Sequence, residues 1–400
     1  MSYWEARNGE EIKKHVKEHG VSGIDEFVKK RLESWKKEDV DIGITGDSGA
    51  GKSSFINVLR DLYEDDDGAA QVDVKECTKE PTLYIHPKYP NVKFWDLPGI
   101  GTRNHPDLVT YRQKVQLDKY HTYLIFASNR FTENDIILAQ EIKKQEKSFF
   151  FIRTKIDEAV RAEKRKKSFN EYEVLLKIRR NCKENLVDEA GNPISGENDI
   201  FLISNHDPEK WDFSQLTEAI LDALPRYKRE ALTMSLNALT SLSKDILKRK
   251  VQILYGRMIL VAAASGGVAA IPVSGLSIAV DAALIFNEIR EYIAQLGIPL
   301  EGSKIFEMVS YVTQKAIVDM HLMFSSKASI LSLFAKEAAT GVAAEEIVRF
   351  IPVVGSVVAS TLSFGCTILF LRSCLKKIEK VALAVLEEAN QRSVDNLDHE

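Results

Sequence analysis

The stretch GDSGAGKSSF, residues 46–55, constrains the fold more than any other part of the chain. Gly46, four free positions, then Gly51-Lys52-Ser53 is a phosphate-loop spacing, in which small residues let backbone N–H groups converge on phosphate oxygens where a side chain would intrude. The pattern is short, so its flanks decide its meaning. Before it, the β-branched run Val40-Asp41-Ile42-Gly43-Ile44-Thr45 predicts a buried strand ending at Gly46; after it, Ser53 to Leu59 predicts a helix. Strand, glycine-rich turn and helix start stand in the required order, and the helix N-terminus adds partial positive charge to an anion site. The candidate nucleotide contacts here are Gly46, Asp47, Gly49, Ala50, Gly51, Lys52, Ser53 and Ser54. Lys52 is placed to reach the β- and γ-phosphates, and the Ser53 hydroxyl to ligate Mg²⁺.

Two further segments extend the pattern. Val92-Lys93-Phe94-Trp95 reads as a strand running into Asp96-Leu97-Pro98-Gly99, a D-x-x-G element. An aspartate at a strand end supports the Mg²⁺ shell, and a mobile glycine presents its N–H to the γ-phosphate. Phe149-Phe150-Phe151-Ile152-Arg153 is an apolar strand ending in Thr154-Lys155-Ile156-Asp157. A carboxylate at Asp157 takes two hydrogen bonds from guanine N1–H and the exocyclic amine, a donor pair adenine lacks, while Lys155 lays its stem over the ring. Thr154 stands where GTPases commonly carry asparagine. A last strand, Asp199 to Ile203, ends in Ser204-Asn205, placed to give backbone donors to the base carbonyl. The base is therefore expected to be guanine, with GTP/GDP and Mg²⁺ as the bound species. Between helix and strands, YEDDDGAAQVDVKECTKEPTLY reads as a loop, and either Thr78 or Thr82 can serve as a switch threonine on Mg²⁺. After Gly99 comes Ile100, whose side chain cannot orient an attacking water as the glutamine of small signalling GTPases does.

Taken together, GDSGAGKSSFINVLR, FWDLPGIGT, FIRTKID and FLISNHD with WDFSQL resemble the immunity-related, interferon-inducible GTPases over roughly residues 20 to 390. The resemblance implies a Ras-like α/β nucleotide domain joined to an all-α domain built from N- and C-terminal helices. It implies a cell-autonomous defence GTPase that hydrolyses GTP by pairing nucleotide face to nucleotide face and assembles on intracellular membranes. Residue by residue, Glu76 matches a switch glutamate that supports catalysis, and Thr78 the switch threonine. Lys52 matches the subgroup that keeps the loop lysine. Arg130 and Asp135 match part of the dimer contact, whereas Thr132 and Glu133 replace lysines of some members.

Length and composition agree with two domains. At 400 residues the chain exceeds one ordinary core, and 44% apolar with 28% charged residues describes a folded protein. The expected divisions are 1–39, N-terminal helices; 40–225, nucleotide domain; and 226–400, C-terminal helices. Ile24, Phe27, Val28, Leu32 and Trp35 recur on one helical face, expected to pack on the C-terminal part. A net charge of −4 gives no global case for nucleic acid. The basic run Arg161 to Lys167 lacks interleaved aromatics and reads as a solvated surface. Four cysteines without paired or metal-ligand spacing suggest a reducing compartment. The start has no apolar core of a leader, and Ser2 excludes N-myristoylation; joined to the membrane assembly that the resemblance implies, this makes a cytoplasmic protein peripherally associated with intracellular membranes the expectation. Two charge-free stretches, 258–280 and 350–371, are each long enough to span a bilayer. Each is punctuated by Pro then Gly, at Pro272 and Gly275 and at Pro352 and Gly355, which favours short-helix hairpins in a buried core over membrane insertion.

Overall fold

The computed structural model describes residues 3–20, 22–72, 80–100, 108–188, 190–194, 196, 199–269, 277–339 and 362–395. The chain forms two compact units, Met1–Trp35 with Thr240–Glu400, and Lys36–Leu239. The first opens with α1 (Tyr3–His19) and α2 (Ile24–Leu32). The second holds β1 (Val40–Gly46), α3 (Lys52–Arg60), β2 (Thr82–Ile85), β3 (Val92–Asp96), α4 (Leu108–Val115), β4 (Thr122–Ala127), α5 (Glu133–Lys144), β5 (Ser148–Arg153), α6 (Ile156–Glu163), α7 (Glu171–Asn185), β6 (Ile200–Leu202), α8 (Phe213–Ala223) and α9 (Arg226–Ser235). After a one-turn helix α10 (Asn237–Thr240), the first unit resumes with α11 (Lys244–Ala269), α12 (Ser277–Gln295), α13 (Lys304–Met308), α14 (Tyr311–Met323), α15 (Lys327–Ala339) and α16 (Leu362–Asp395).

The sheet order is β2-β3-β1-β4-β5-β6, with β2 antiparallel to β3 and every other pairing parallel. Parallel strands covered on both faces are continuously apolar, and all seven residues of β1 and all six of β4 are buried. Chain order reverses at β1, whose neighbours are β3 on one side and β4 on the other. Ligands of open α/β sheets bind outside the carboxyl ends of strands at such a point. Gly46, Asp96, Arg153 and Leu202 end β1, β3, β5 and β6, so all three expected motif loops and the Ser204-Asn205 turn emerge on one edge.

Two expectations change. Thr82 to Tyr84, read as the end of a loop, belong to the edge strand β2, recruited by tertiary pairing with β3 rather than by its own periodicity. The unit boundary expected at 225 lies at Leu239, because α9 packs on α8, β1 and β3 and buries Ala231, Leu232 and Met234.

In the helical unit α11 is the central element, packed by α16, α1, α2 and α12. The expected N-terminal face is there: Ile24, Val28, Leu32 and Trp35 are buried, and Phe27 stacks on His15 with centroids 4.6 Å apart. Met258 to Ala264 are at most 1% exposed, so this part of the first apolar stretch is core of the unit. In the second, Phe364, Ile368, Phe370 and Leu371 are likewise buried. Both Pro-to-Gly segments lie outside the described residues. Among the described residues no single helix is long and apolar enough to cross a membrane, and one bent pair, Tyr311–Met323 with Lys327–Lys336, passes that test by length and composition.

Candidate nucleotide site

The loop after β1 takes its shape from glycines at two points. Gly46 has φ +128°, and a Cβ there would stand 2.0 Å from the Phe126 carbonyl oxygen. Gly51, the residue before α3, has φ +82°. Both conformations favour glycine, and together they turn the backbone so that it enters α3 with Lys52 at the first helical position.

Around this loop lies a cavity of about 880 Å³. Its walls include Gly46, Asp47, Gly49, Ala50, Gly51, Lys52, Ser53 and Ser54 from the loop and α3, Asp96 and Gly99 from the β3 end, and Lys155, Asp157 and Asn205 from the β5 and β6 ends. The three sequence motifs are therefore brought to one place. The Lys52 ammonium donates to the carbonyls of Gly46 at 2.8 Å and Asp47 at 3.0 Å. Burial pulls its pKa below the ordinary lysine value, and the charges of Asp96, Asp47 and Asp135 oppose that fall. A phosphate is a stronger, charged acceptor than a loop carbonyl, so this lysine is poised to exchange partners. Ser53 and Asp96 supply hard oxygen donors to the same cavity, the donor chemistry Mg²⁺ takes. The third expected ligand, Thr78, and the expected catalytic Glu76 lie outside the described residues; Thr82, the alternative threonine, lines the cavity.

The base side is built on β5 and β6. Lys155 sits in the left-handed region, φ +58°, at the start of α6, with its ammonium 3.9 Å from Glu158. Asp157 is in the first turn of that helix and half-buried. Thr154 and Ser204, expected among the nucleotide contacts, do not line the cavity. Thr154 is 1% exposed, and its hydroxyl donates to the Ala50 carbonyl at 2.8 Å. Ser204 is fully buried, its hydroxyl accepting the N–H groups of His206 at 3.1 Å and Asp207 at 3.3 Å. Both hydroxyls bond to loop backbone. Asn205 lines the cavity, and its side chain donates to the Gly51 carbonyl at 2.8 Å.

Of the two residues expected at the dimer contact, Asp135 has a role within the chain. Asp135 is 5% exposed because it closes a capping box on α5: its carboxylate accepts the Thr132 N–H and the Thr132 hydroxyl, each at 2.8 Å. Burial raises its pKa above the ordinary aspartate value, against the lowering effect of these bonds and of Lys52. Its carboxylate serves the helix start. Arg130 is exposed, and no ion pair joins it to Asp135 among the described residues. The pattern Thr132-x-x-Asp135 is itself a capping-box signature readable in the sequence. Glu64, Tyr84, Glu158 and His206 also line the cavity and were not among the expected residues. Ile100 lines it too, with its side chain packed against the apolar core of the sheet.

A family model described as Interferon-inducible GTPase (IIGP) matches residues 6–391. The chain belongs to this family. It is 34% identical over 365 residues to Interferon-inducible GTPase 5 of Rattus norvegicus, covering 87% of this chain and 76% of that protein. It is 36% identical over 271 residues to T-cell-specific guanine nucleotide triphosphate-binding protein 2 of Mus musculus, covering 66% and 62%. To Interferon-inducible GTPase 1 of Mus musculus it is 39% identical over 221 residues, 55% and 52% of the two chains. As a member of the interferon-inducible GTPases this chain binds guanine nucleotide and hydrolyses GTP. The doubly wound sheet with its separate helical unit is the fold the motifs implied.

Proposed function

We propose that the chain is an assembly-activated GTPase of cell-autonomous innate defence, cytoplasmic and peripherally associated with intracellular membranes, turning over GTP with Mg²⁺ in homo-oligomers joined through their nucleotide faces. The observation that carries the catalytic part is the single cavity uniting Lys52, Ser53, Asp96, Gly99, Lys155 and Asp157. In this reading Gly46, Asp47, Gly49, Ala50, Gly51 and Ser54 cradle phosphates with backbone and hydroxyl donors, and Lys52 holds the β- and γ-phosphates. Mg²⁺, when bound, neutralises charge developing on the phosphate oxygens. Ser53 and Thr78 hold it, with Asp96 behind them. Gly99 meets the γ-phosphate, and Lys155 and Asp157 select guanine.

Ile100 supports the need for a partner. Its apolar side chain offers no hydrogen bond to water, so a group outside this position must orient the nucleophile; Glu76 is assigned that role across a nucleotide-face dimer that includes the exposed Arg130. Peripheral membrane association is supported by the exposed lysines Lys376, Lys377 and Lys380 on α16, which suit anionic headgroups. The overall charge of −4 supports a partner list without nucleic acid.

The test is GTP turnover per subunit over a hundredfold range of protein concentration, with ATP and Lys52→Ala as controls. The expected result is a rate that climbs with concentration for GTP alone. A background rate at every concentration, with GTP still bound, would favour a nucleotide switch of little turnover, the second reading that Ile100 supports.

A further inference from the structure

Two carbonyls of the phosphate loop are held by side chains from far along the chain. Asn205 Nδ2 donates to the Gly51 carbonyl at 2.8 Å across 154 residues, reinforcing the α3 bond that the same carbonyl accepts from the Phe55 N–H at 3.0 Å; the Thr154 hydroxyl lies 2.8 Å from the Ala50 carbonyl across 104 residues, with the Ala127 carbonyl a longer second acceptor at 3.3 Å. Both donors stand just beyond strands that lead to the base side, Thr154 directly after β5 and Asn205 after β6. A trans peptide unit is planar, with its C=O and the following N–H pointing to opposite sides. Fixing the Ala50 carbonyl therefore fixes the Gly51 N–H, and fixing the Gly51 carbonyl fixes the Lys52 N–H. These are donors of the cradle wall, and the Lys52 N–H is also one of the unpaired first-turn donors of α3.

The contact is close as well as polar. A Cβ on Gly51 would stand 2.9 Å from Asn205 Nδ2, so the amide lies directly against the loop backbone. Asn205 holds this position while its own Oδ1 is buried with no hydrogen-bond partner among the described residues.

We propose that Asn205, with Thr154 beside it, is a positioning residue that sets the direction of the Gly51 and Lys52 N–H groups, so that the loops flanking the base also preorganise the phosphate site. The proposal rests on the cavity being the nucleotide site. Donors already aimed at a phosphate need no reorganisation when it arrives, which is where such an arrangement gains affinity. It follows that phosphate binding depends on Asn205 even for a ligand that has no base.

The experiment measures the affinity of the full chain, with Mg²⁺, for GTP, guanosine and inorganic tripolyphosphate. Asn205→Ala is expected to weaken GTP and tripolyphosphate by about three- to tenfold each, the size of one net hydrogen bond, and to leave guanosine unchanged. Thr154→Val is expected to act in the same direction, and Thr154→Ser to restore binding by returning the hydroxyl. Tripolyphosphate affinity unchanged in Asn205→Ala, with GTP and guanosine both weakened, would overturn the proposal and make Asn205 a base contact. If Asn205→Ala does not fold, the Thr154→Val and Thr154→Ser pair carries the test, and equal tripolyphosphate affinity in those two overturns it. Failure of the unsubstituted chain to bind GTP is a separate result, seen before any substitution, and removes the nucleotide reading itself.

Discussion

The helical unit buries an ion pair and the nucleotide unit half-buries a lysine, and they close these charges differently. In the helical unit Arg257 and Glu288 are 5% and 3% exposed. Arg257 Nε and Nη2 donate to the two Glu288 oxygens at 2.9 and 2.8 Å, and Nη1 donates to the Leu32 carbonyl at 2.7 Å. The guanidinium is thus shared by α11, α12 and the end of α2, and its partners all lie within the unit. In the nucleotide unit Lys52 is bonded to neutral carbonyls of its own loop, with Asp96, Asp47 and Asp135 near enough to support its charge. Burial in the first place fixes helix arrangement. In the second it keeps strong donors in a state that a phosphate can improve.

The largest effect should come from breaking the cradle. Gly46→Ala places a methyl group 2.0 Å from the Phe126 carbonyl at a φ of +128°. Backbone strain of about 1–3 kcal/mol and overpacking of about 1–3 kcal/mol add there, and the loop can no longer face its donors inward. Loss of detectable GTP binding by calorimetry, with a lowered thermal midpoint, is the expected outcome; normal binding would mean the loop reaches its shape without this glycine.

Next comes the closed pair. Glu288→Ala leaves a buried guanidinium without its carboxylate and should cost about 3–5 kcal/mol in urea unfolding. Replacing both partners with apolar residues of similar volume should recover most of that loss, because the desolvation cost disappears along with the attraction. A double substitution as damaging as the single one would show that the pair is needed for more than its own neutralisation. The contrast with Lys52→Ala, which removes a charge reserved for ligand, is then direct: stability should change little while GTP affinity falls.

How much of this was legible depended on whether the chemistry is local in sequence. The cradle, the D-x-x-G element and Lys155 with Asp157 rely on backbone shape and on residues a few positions apart, and the structure collects them in one cavity. The side-chain ties from Asn205 to Gly51 and from Thr154 to Ala50 cross 154 and 104 residues, and no spacing rule reaches that far. The Arg257–Glu288 pair joins two helices whose sequences read simply as helix. Asp135 is the local case: Thr132-Glu133-Asn134-Asp135 is a signature readable in four residues, and the hydrogen bonds of a helix start explain its burial.

That capping box supplies a smaller prediction. Thr132→Ala removes the hydroxyl that accepts the Asp135 N–H at 3.3 Å and donates to its carboxylate at 2.8 Å. The expected cost is about 1 kcal/mol in the unfolding of the nucleotide unit. A cost near zero would mean that the Thr132 backbone N–H alone holds Asp135.

The smallest effect is a change of slope, and it tests a third way of closing a polar group. His121 Nδ1 accepts the Asp41 N–H at 2.9 Å, joining the start of β4 to β1. Here the acceptor can be removed by a proton. Burial, then the nearby Lys228, lower the His121 pKa from the ordinary 6.5, with Lys147 acting in the same direction and Asp41 opposing. A folded value below the unfolded one means the native state binds fewer protons, so stability rises with pH through this window. The contribution is complete above pH 6.5 and is lost as pH falls through the depressed folded value. His121→Asn keeps an acceptor oxygen near the Nδ1 position and cannot titrate. Urea midpoints followed from pH 8 down to about 5 should therefore fall less steeply for His121→Asn than for the unsubstituted chain, while the two stay close at pH 8. Identical acid limbs would assign the loss to carboxylates alone. A flatter limb would show that a closed polar contact can still be conditional when its acceptor titrates, unlike the Arg257–Glu288 pair, whose guanidinium stays protonated throughout this range.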